Sequence, residues 1–185
     1  MKKALVATIL VLLLLIPAVG AAETKTKFGA GVILAYPFNG AIGTFDINDK
    51  WDVQLGLGYY IGAVKIKDSS GWGWGAYRWP VNGFGIDISS HYDVYTVKID
   101  EKNKLDITAG GNITLAFPSV WGGSGIFTLN IAIMATPGVS YTLPSIPLDI
   151  FLRIPLGINL LIIGDGGGTH VGFAGGGQIG AVYNF

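Results

Sequence analysis

Arg153 and Asp149 stand four residues apart in LDIFLR. On an extended chain that spacing puts both side chains on one face. If the face is enclosed, the guanidinium needs an anionic partner, because an unpaired charge held away from water is costly. Asp149 is the same-strand candidate, and Asp106 and Asp52 are candidates from across the interior. Asp52, Asp106, Asp149 and Arg153 are therefore expected to form a polar network that fills a lumen, with gating or conduction as the lesser reading.

His91 raises a second chemistry. In DISSHYD the residues Asp87, Ser89, His91 and Asp93 alternate on one face. A nucleophile, a base and an orienting acid must lie within hydrogen-bond reach of one another. Next neighbours on one strand face are roughly 6–7 Å apart, too far for Ser89 to meet His91 directly. His170, in GDGGGTH, has Asp165 and Thr169 nearby, but the last strand offers no serine or glutamate to complete a set. The same GDGGG is followed by neither a lysine nor a helix, so it reads as a loop tip and not as a phosphate cradle. No catalytic residue, metal site or cofactor is expected. A third cluster is DSSGWGWGAYRWP at 68–80. Its Trp72, Trp74, Tyr77, Arg78 and Trp79 are types enriched at binding hot spots, so the segment is a candidate binding loop. The same alternation fits a hairpin that extends beyond a membrane with its tryptophans at the interface.

What must position these residues is a set of strands. In WDVQLGLGYYIG, Trp51, Val53, Leu55, Leu57, Tyr59 and Ile61 share one face, opposite Asp52, Gln54 and three glycines. Residues 105–117 and 148–162 repeat the pattern, the latter with eight aliphatic residues on one side. Period-two alternation predicts eight strands near 26–36, 40–48, 51–62, 83–98, 104–117, 126–142, 147–163 and 171–185. Short turns at 48–50, 100–103 and 144–147 alternate with other connections at 37–40, 63–82, 118–125 and 164–170, mostly longer and glycine-rich. An even strand number puts both termini on the short-turn side.

The chain is 50% hydrophobic, 13% charged, without cysteine and with zero net charge. That composition gives no electrostatic case for nucleic acid and excludes a disulfide framework. A secreted sandwich would turn lysine and glutamate outward. Here the second face is glycine, asparagine, threonine, serine and aspartate, which suits a narrow interior, while the aliphatic face suits lipid. In hydrocarbon only a closed sheet satisfies its backbone. The expectation is an all-β, closed, antiparallel up-and-down transmembrane barrel of eight strands. Tyr36, Trp51, Tyr59, Phe84, Phe117, Phe127, Tyr183 and Phe185 fall near strand ends, as interfacial girdles require. Residues 1–22 carry Lys2, Lys3, an apolar run, Pro17 and small residues, the pattern of a cleaved signal peptide. The barrel domain is then 23–185.

The last eight residues, QIGAVYNF, resemble the carboxy-terminal β-signal of bacterial outer-membrane proteins. Gln178, Gly180, Tyr183 and Phe185 match its fixed places. The resemblance implies recognition by the barrel assembly machinery, and the chain as a whole resembles small eight-stranded outer-membrane barrels of the OmpA/OmpX type. It implies outer-membrane lipids as surroundings and the bacterial outer membrane as the address. A barrel of this size is filled by side chains or holds one small ligand. The function expected is structural or surface-interacting, with an extracellular ligand of unassigned chemistry. The alternative is a narrow channel or carrier for small or apolar molecules. Some small outer-membrane barrels modify lipid A with Ser/His/acid sets, and that enzyme is the weakest alternative.

Overall fold

A computed structural model describes residues 27–67, 76–101, 103–119, 128–164 and 168–185. The expected signal peptide at 1–22 lies outside them. The strands are β1 (Phe28–Ala35), β2 (Phe38–Asn48), β3 (Trp51–Lys67), β4 (Ala76–Lys98), β5 (Lys104–Ser119), β6 (Thr128–Ala135), β7 (Gly138–Thr142), β8 (Leu148–Arg153), β9 (Leu156–Ile163), β10 (Gly168–Gly175) and β11 (Gln178–Asn184). All pairings are antiparallel.

The last six elements are three long strands, each interrupted once. Pro137 and Pro155 have no N–H to give to the ladder, yet the register runs on through both. Ile154 N–H donates to the Pro137 carbonyl at 2.8 Å and Gly176 N–H to the Pro155 carbonyl at 3.0 Å. Joining β6 to β7, β8 to β9 and β10 to β11 gives eight strands in one closed ring, shut by β1 against β11. The ring closes with a stagger. From Gly29 the ladder partners run through Thr44, Gln54, Ser89, Asn112, Met134 and Gly157 to Ala174. Across the closing seam Gly29 meets Asn184 instead. The offset from 174 to 184 is ten residues, which tilts the strands by roughly 40°.

The barrel is inside-out relative to a soluble protein. Leu152 and Ile154 are 53% and 54% exposed, and Leu55, Leu57, Ile158 and Ile179 likewise face outward. Gln54, Asp87, Ser89, His91, Asn112, Thr114, Asn130, Arg153, Asn159 and Gln178 are buried in the lumen. Aromatics mark two levels on the outer wall. Trp51 and Tyr59 on β3, Tyr92 and Phe84 on β4, and Phe28 on β1 and Tyr36 just past its end are each eight residues apart. At ~3.3 Å per residue and a tilt near 40° the two levels are about 20 Å apart along the barrel axis. That is close to the ~25 Å apolar band of transmembrane barrels. At the lower level Trp51 packs edge-on against Tyr92 at 5.8 Å, Phe28 meets Phe45 at 5.2 Å and Tyr183 meets Phe185 at 5.4 Å.

Two connections differ from expectation. The segment 37–40 is not a longer connection: β2 begins at Phe38, and Tyr36–Pro37 is the whole turn, its Ala35 N–H capped by Asn39 Oδ1 at 2.9 Å. The 63–82 segment is not a loop throughout. Residues 61–67 pair with 76–82, so β3 and β4 continue as a ribbon well above the β1–β2 turn. Glycine and proline misled both readings, since each marks turns but also tolerates strand positions on an edge. The short turns stand as expected: Lys50 N–H donates to Asn48 Oδ1 at 2.9 Å and Asn103 N–H to Asp100 Oδ1 at 2.7 Å.

Candidate functional site

The lumen has two unlike walls. Ile33, Phe38, Ile42, Phe151 and Val182 form a buried apolar cluster contributed by β1, β2, β8 and β11. The facing wall, from β3 to β6, carries Gln54, Asp87, Ser89, His91, Thr108, Asn112, Thr114 and Asn130. Phe38, Ile33, His91, Gln54 and Asp87 are among the largest fully buried side chains. All five are enclosed in the lumen.

Arg153 links the walls. Its guanidinium lies 3.9 Å from the centroid of the Phe151 ring, a cation–π contact. Its Nη1 donates to Gln54 Oε1 at 3.1 Å. The expected carboxylate partner is absent: among the described residues no carboxylate lies within ion-pair distance of Arg153. The carboxylates are nevertheless near. Asp46, Asp52, Asp93, Asp106 and Asp149 line a cavity of about 180 Å³ at the turn end, and Arg153 borders it. A smaller recess of about 50 Å³ continues from it between Gln54, Val182 and Arg153. With Asp49 on the same lining, six carboxylates converge near the cation, Lys27 and Lys50 border the cavity as well, and there is room for several waters between them. Sequence spacing could place these groups on one face, but not fix the distance across the barrel.

Each predicted network member has its own partner. Asp52 Oδ1 contacts His91 Nδ1 at 3.0 Å. Thr96 Oγ1 donates to Asp106 at 2.5 Å, and Asn184 Nδ2 to Asp149 at 2.6 Å. Asp87, deeper in, accepts from Asn112 Nδ2 at 2.8 Å and Thr114 Oγ1 at 2.6 Å. Asp52 and His91 are two members of a hydrolytic triad by type. Ser90 is not a third, for its hydroxyl donates to the Asp52 carbonyl at 3.1 Å and accepts from Trp51 Nε1 at 2.5 Å. His91 Nε2 and Ser89 Oγ are buried with no hydrogen-bond partner among the described residues. The His91–Asp52 pair was not foreseen. The register Asp52↔His91 makes them direct cross-strand neighbours, a relation visible only once strand pairing is known.

The carboxy-terminal residues acquire physical reasons. Gln178 is buried opposite Arg153, and Gly180 is buried opposite Phe151. A Cβ on Gly180 would lie 2.2 Å from Phe151 Cζ, so glycine is what lets the ring lie flat under Arg153. Tyr183 and Phe185 face outward at the lower aromatic level. Phe185 N–H donates to the Phe28 carbonyl at 2.8 Å, so the final residue helps shut the ring. Of the candidate binding loop, Trp72 and Trp74 lie outside the described residues. Tyr77, Arg78 and Trp79 fall on the β4 ladder opposite Ile66, Lys65 and Val64.

No family model and no curated protein matches the chain. Among solved structures it is similar to Ail, the attachment invasion locus protein of Yersinia pestis. In complex with the heparin analogue sucrose octasulfate, Ail gives 12% identity and a TM-score of 0.34, over 86% of this chain and 96% of Ail. Without that ligand the figures are 13% and 0.32 over the same shares. The eight-stranded ring, its apolar exterior and its polar lumen rest on the chain's own structure. That architecture is the one found in small outer-membrane β-barrels of the OmpA/OmpX type.

Proposed function

We propose that the chain is an integral outer-membrane protein with a plugged lumen, working through its outward loop end as a structural or surface-interacting component. The observation that carries this reading is the barrel interior, where Arg153 lies over the Phe151 ring and bonds Gln54, and Ile33, Phe38 and His91 are fully buried. Arg153 borders both the turn-end cavity and the recess that continues from it. Planar-bilayer recording of the purified protein tests it: no conductance steps are expected, and steps of nanosiemens size would refute the plug. Outer-membrane lipids are its surroundings in this reading. The assembly machinery is its partner during biogenesis, with Gln178, Gly180, Tyr183 and Phe185 as the recognised strand. Replacing Phe185 by alanine is expected to lower the folded yield in cells while leaving refolding of purified protein into detergent unchanged. An extracellular ligand is part of the proposal, and the exposed loop end is where it would bind.

A narrow channel is the second reading. It is favoured by the row of buried polar atoms without hydrogen-bond partners among the described residues: Ser89 Oγ, His91 Nε2, Thr108 Oγ1, Thr136 Oγ1 and Asn130 among them. Buried polar atoms in that position take up water. Catalysis is not part of either reading; lipid A analysed by mass with and without the protein, and found unchanged, would agree with that.

A further inference from the structure

The turn end of the lumen holds a cavity that neither a plug nor a surface role requires. Its walls carry Asp46 from β2, Asp52 from β3, Asp93 from β4, Asp106 from β5 and Asp149 from β8, all half-buried. Exposed Asp49, Lys50 and Lys27 border it on the solvent side. Thr108 and Arg153 are its buried members, 4% and 5% exposed. With every group ionised, six carboxylates stand against three cations. A cleft lined by an excess of one charge repels itself and concentrates ions of the other sign.

Three of the carboxylates are held in place by one partner each: Asp52 by His91, Asp106 by Thr96 and Asp149 by Asn184. The second Asp149 oxygen, Oδ1, is buried with no hydrogen-bond partner among the described residues. Thr108 Oγ1 is buried in the same condition. Charges alone could form a solvated rim. An enclosed hydroxyl beside them, with no partner in the wall, calls for one from the cavity that it lines.

We propose that this cavity binds a small organic dication, an aliphatic diamine, through its carboxylates and Thr108. A metal ion is a poor match, because it needs several oxygens directed at one point. Among the described residues no three carboxylate or imidazole groups are placed to hold one. The acidic groups are instead spread over five strands around the lumen. A single ammonium reaches one wall, whereas two ammonium groups on a short chain reach both. Each ammonium brings three donors, enough for charge-assisted bonds to carboxylates and a further bond to the Thr108 hydroxyl. An anion is repelled, and an uncharged ligand leaves the excess charge in place. The cavity, about 180 Å³, admits a four-carbon chain in the space of several waters. It lies at the end opposite the loops, so it is a different site from that of any extracellular ligand.

The test is calorimetric titration of purified full-length protein in detergent micelles with 1,4-diaminobutane at low ionic strength. One-to-one binding is expected. Butylamine and calcium are each expected to bind about tenfold or more weakly, and butane-1,4-diol not at all. Asp93→Asn and Asp149→Asn, on different walls, are each expected to weaken diamine binding about tenfold. Thr108→Val keeps the side-chain outline, removes the acceptor and is expected to weaken binding about threefold or more. Heat-modifiable migration shows which variants fold, and the three substitutions lie on three strands, so a fold lost in one leaves the others to decide. No diamine binding would leave the cavity to water and overturn the proposal. Butylamine or calcium binding as tightly as the diamine, or full binding by a folded variant, would overturn it too. Binding in micelles depends neither on the plug nor on which way the loops face, so failure of either reading is distinguishable from failure of the site.

Discussion

β10 and β11 are two halves of one strand with different surroundings. β11 is paired on both sides, to β8 and to β1. β10 is paired on one side only, to β9. β11 lies between the two aromatic levels, where hydrocarbon leaves no other partner for a backbone group. β10 begins at the upper level and runs beyond it, where water and polar groups can serve. The same chain thus obeys the closure rule where the solvent enforces it and breaks it where the solvent does not. An open edge outside the bilayer is tolerable; one inside is not.

Proline substitution separates the halves most sharply. Ile179 donates across the closing seam, so Ile179→Pro is expected to cost ~3 kcal/mol or more. It should abolish heat-modifiable migration. Val171→Pro, eight residues earlier on the same parity, is expected to stay within about 1 kcal/mol of the parent in urea unfolding. Equal losses would mean that β10 has a partner on its second side.

Arg153 comes next. It belongs to the closed half and faces a convergence of carboxylates. Arg153→Met is expected to destabilise the barrel by about 3 kcal/mol at pH 7, because the aspartates lose the buried cation beside them. The loss should shrink toward pH 4, where carboxylates take up protons and stop repelling one another. Urea midpoints at the two pH values check this, and a pH-independent loss would indicate that packing on Phe151 dominates. Glycine positions give a smaller contrast. Gly180→Val collides with the Phe151 ring and is expected to cost about 1–3 kcal/mol. Gly172→Ala on β10 meets only the Asn159 side-chain oxygen, 2.6 Å from the added Cβ, and should stay within about 1 kcal/mol. The smallest effect is at the turn end of β3. Trp51→Phe loses the bond to Ser90 and about 1 kcal/mol, measured in the same unfolding series.

The faces of the strands were legible because a strand has a period of two, and hydrocarbon outside a small polar interior sharpens the alternation. Leu152, Ile154, Asp106 and Asn159 all lie on the sides that their parity predicts. The depth of each strand was not legible. Pro37 and Gly40 look like a loop, but one is the end of a two-residue turn and the other is paired with Gly58. The Trp/Gly alternation at 68–80 fits loop and ribbon equally. Partners were the hardest to read. Whether Arg153 meets Asp52 or Gln54 depends on the ten-residue stagger, which no single segment encodes. The His91–Asp52 contact depends on pairing between residues 39 positions apart.

The brevity of the Tyr36–Pro37 turn has a consequence for how such a chain could change. Lengthening that hairpin by matched pairs would raise the low stretch of wall, with each outward residue still facing outward. Adding an unmatched residue would turn the new section inside out. The height of this one hairpin is thus an adjustable sill, and its length alone sets how much of the neighbouring edge is left open.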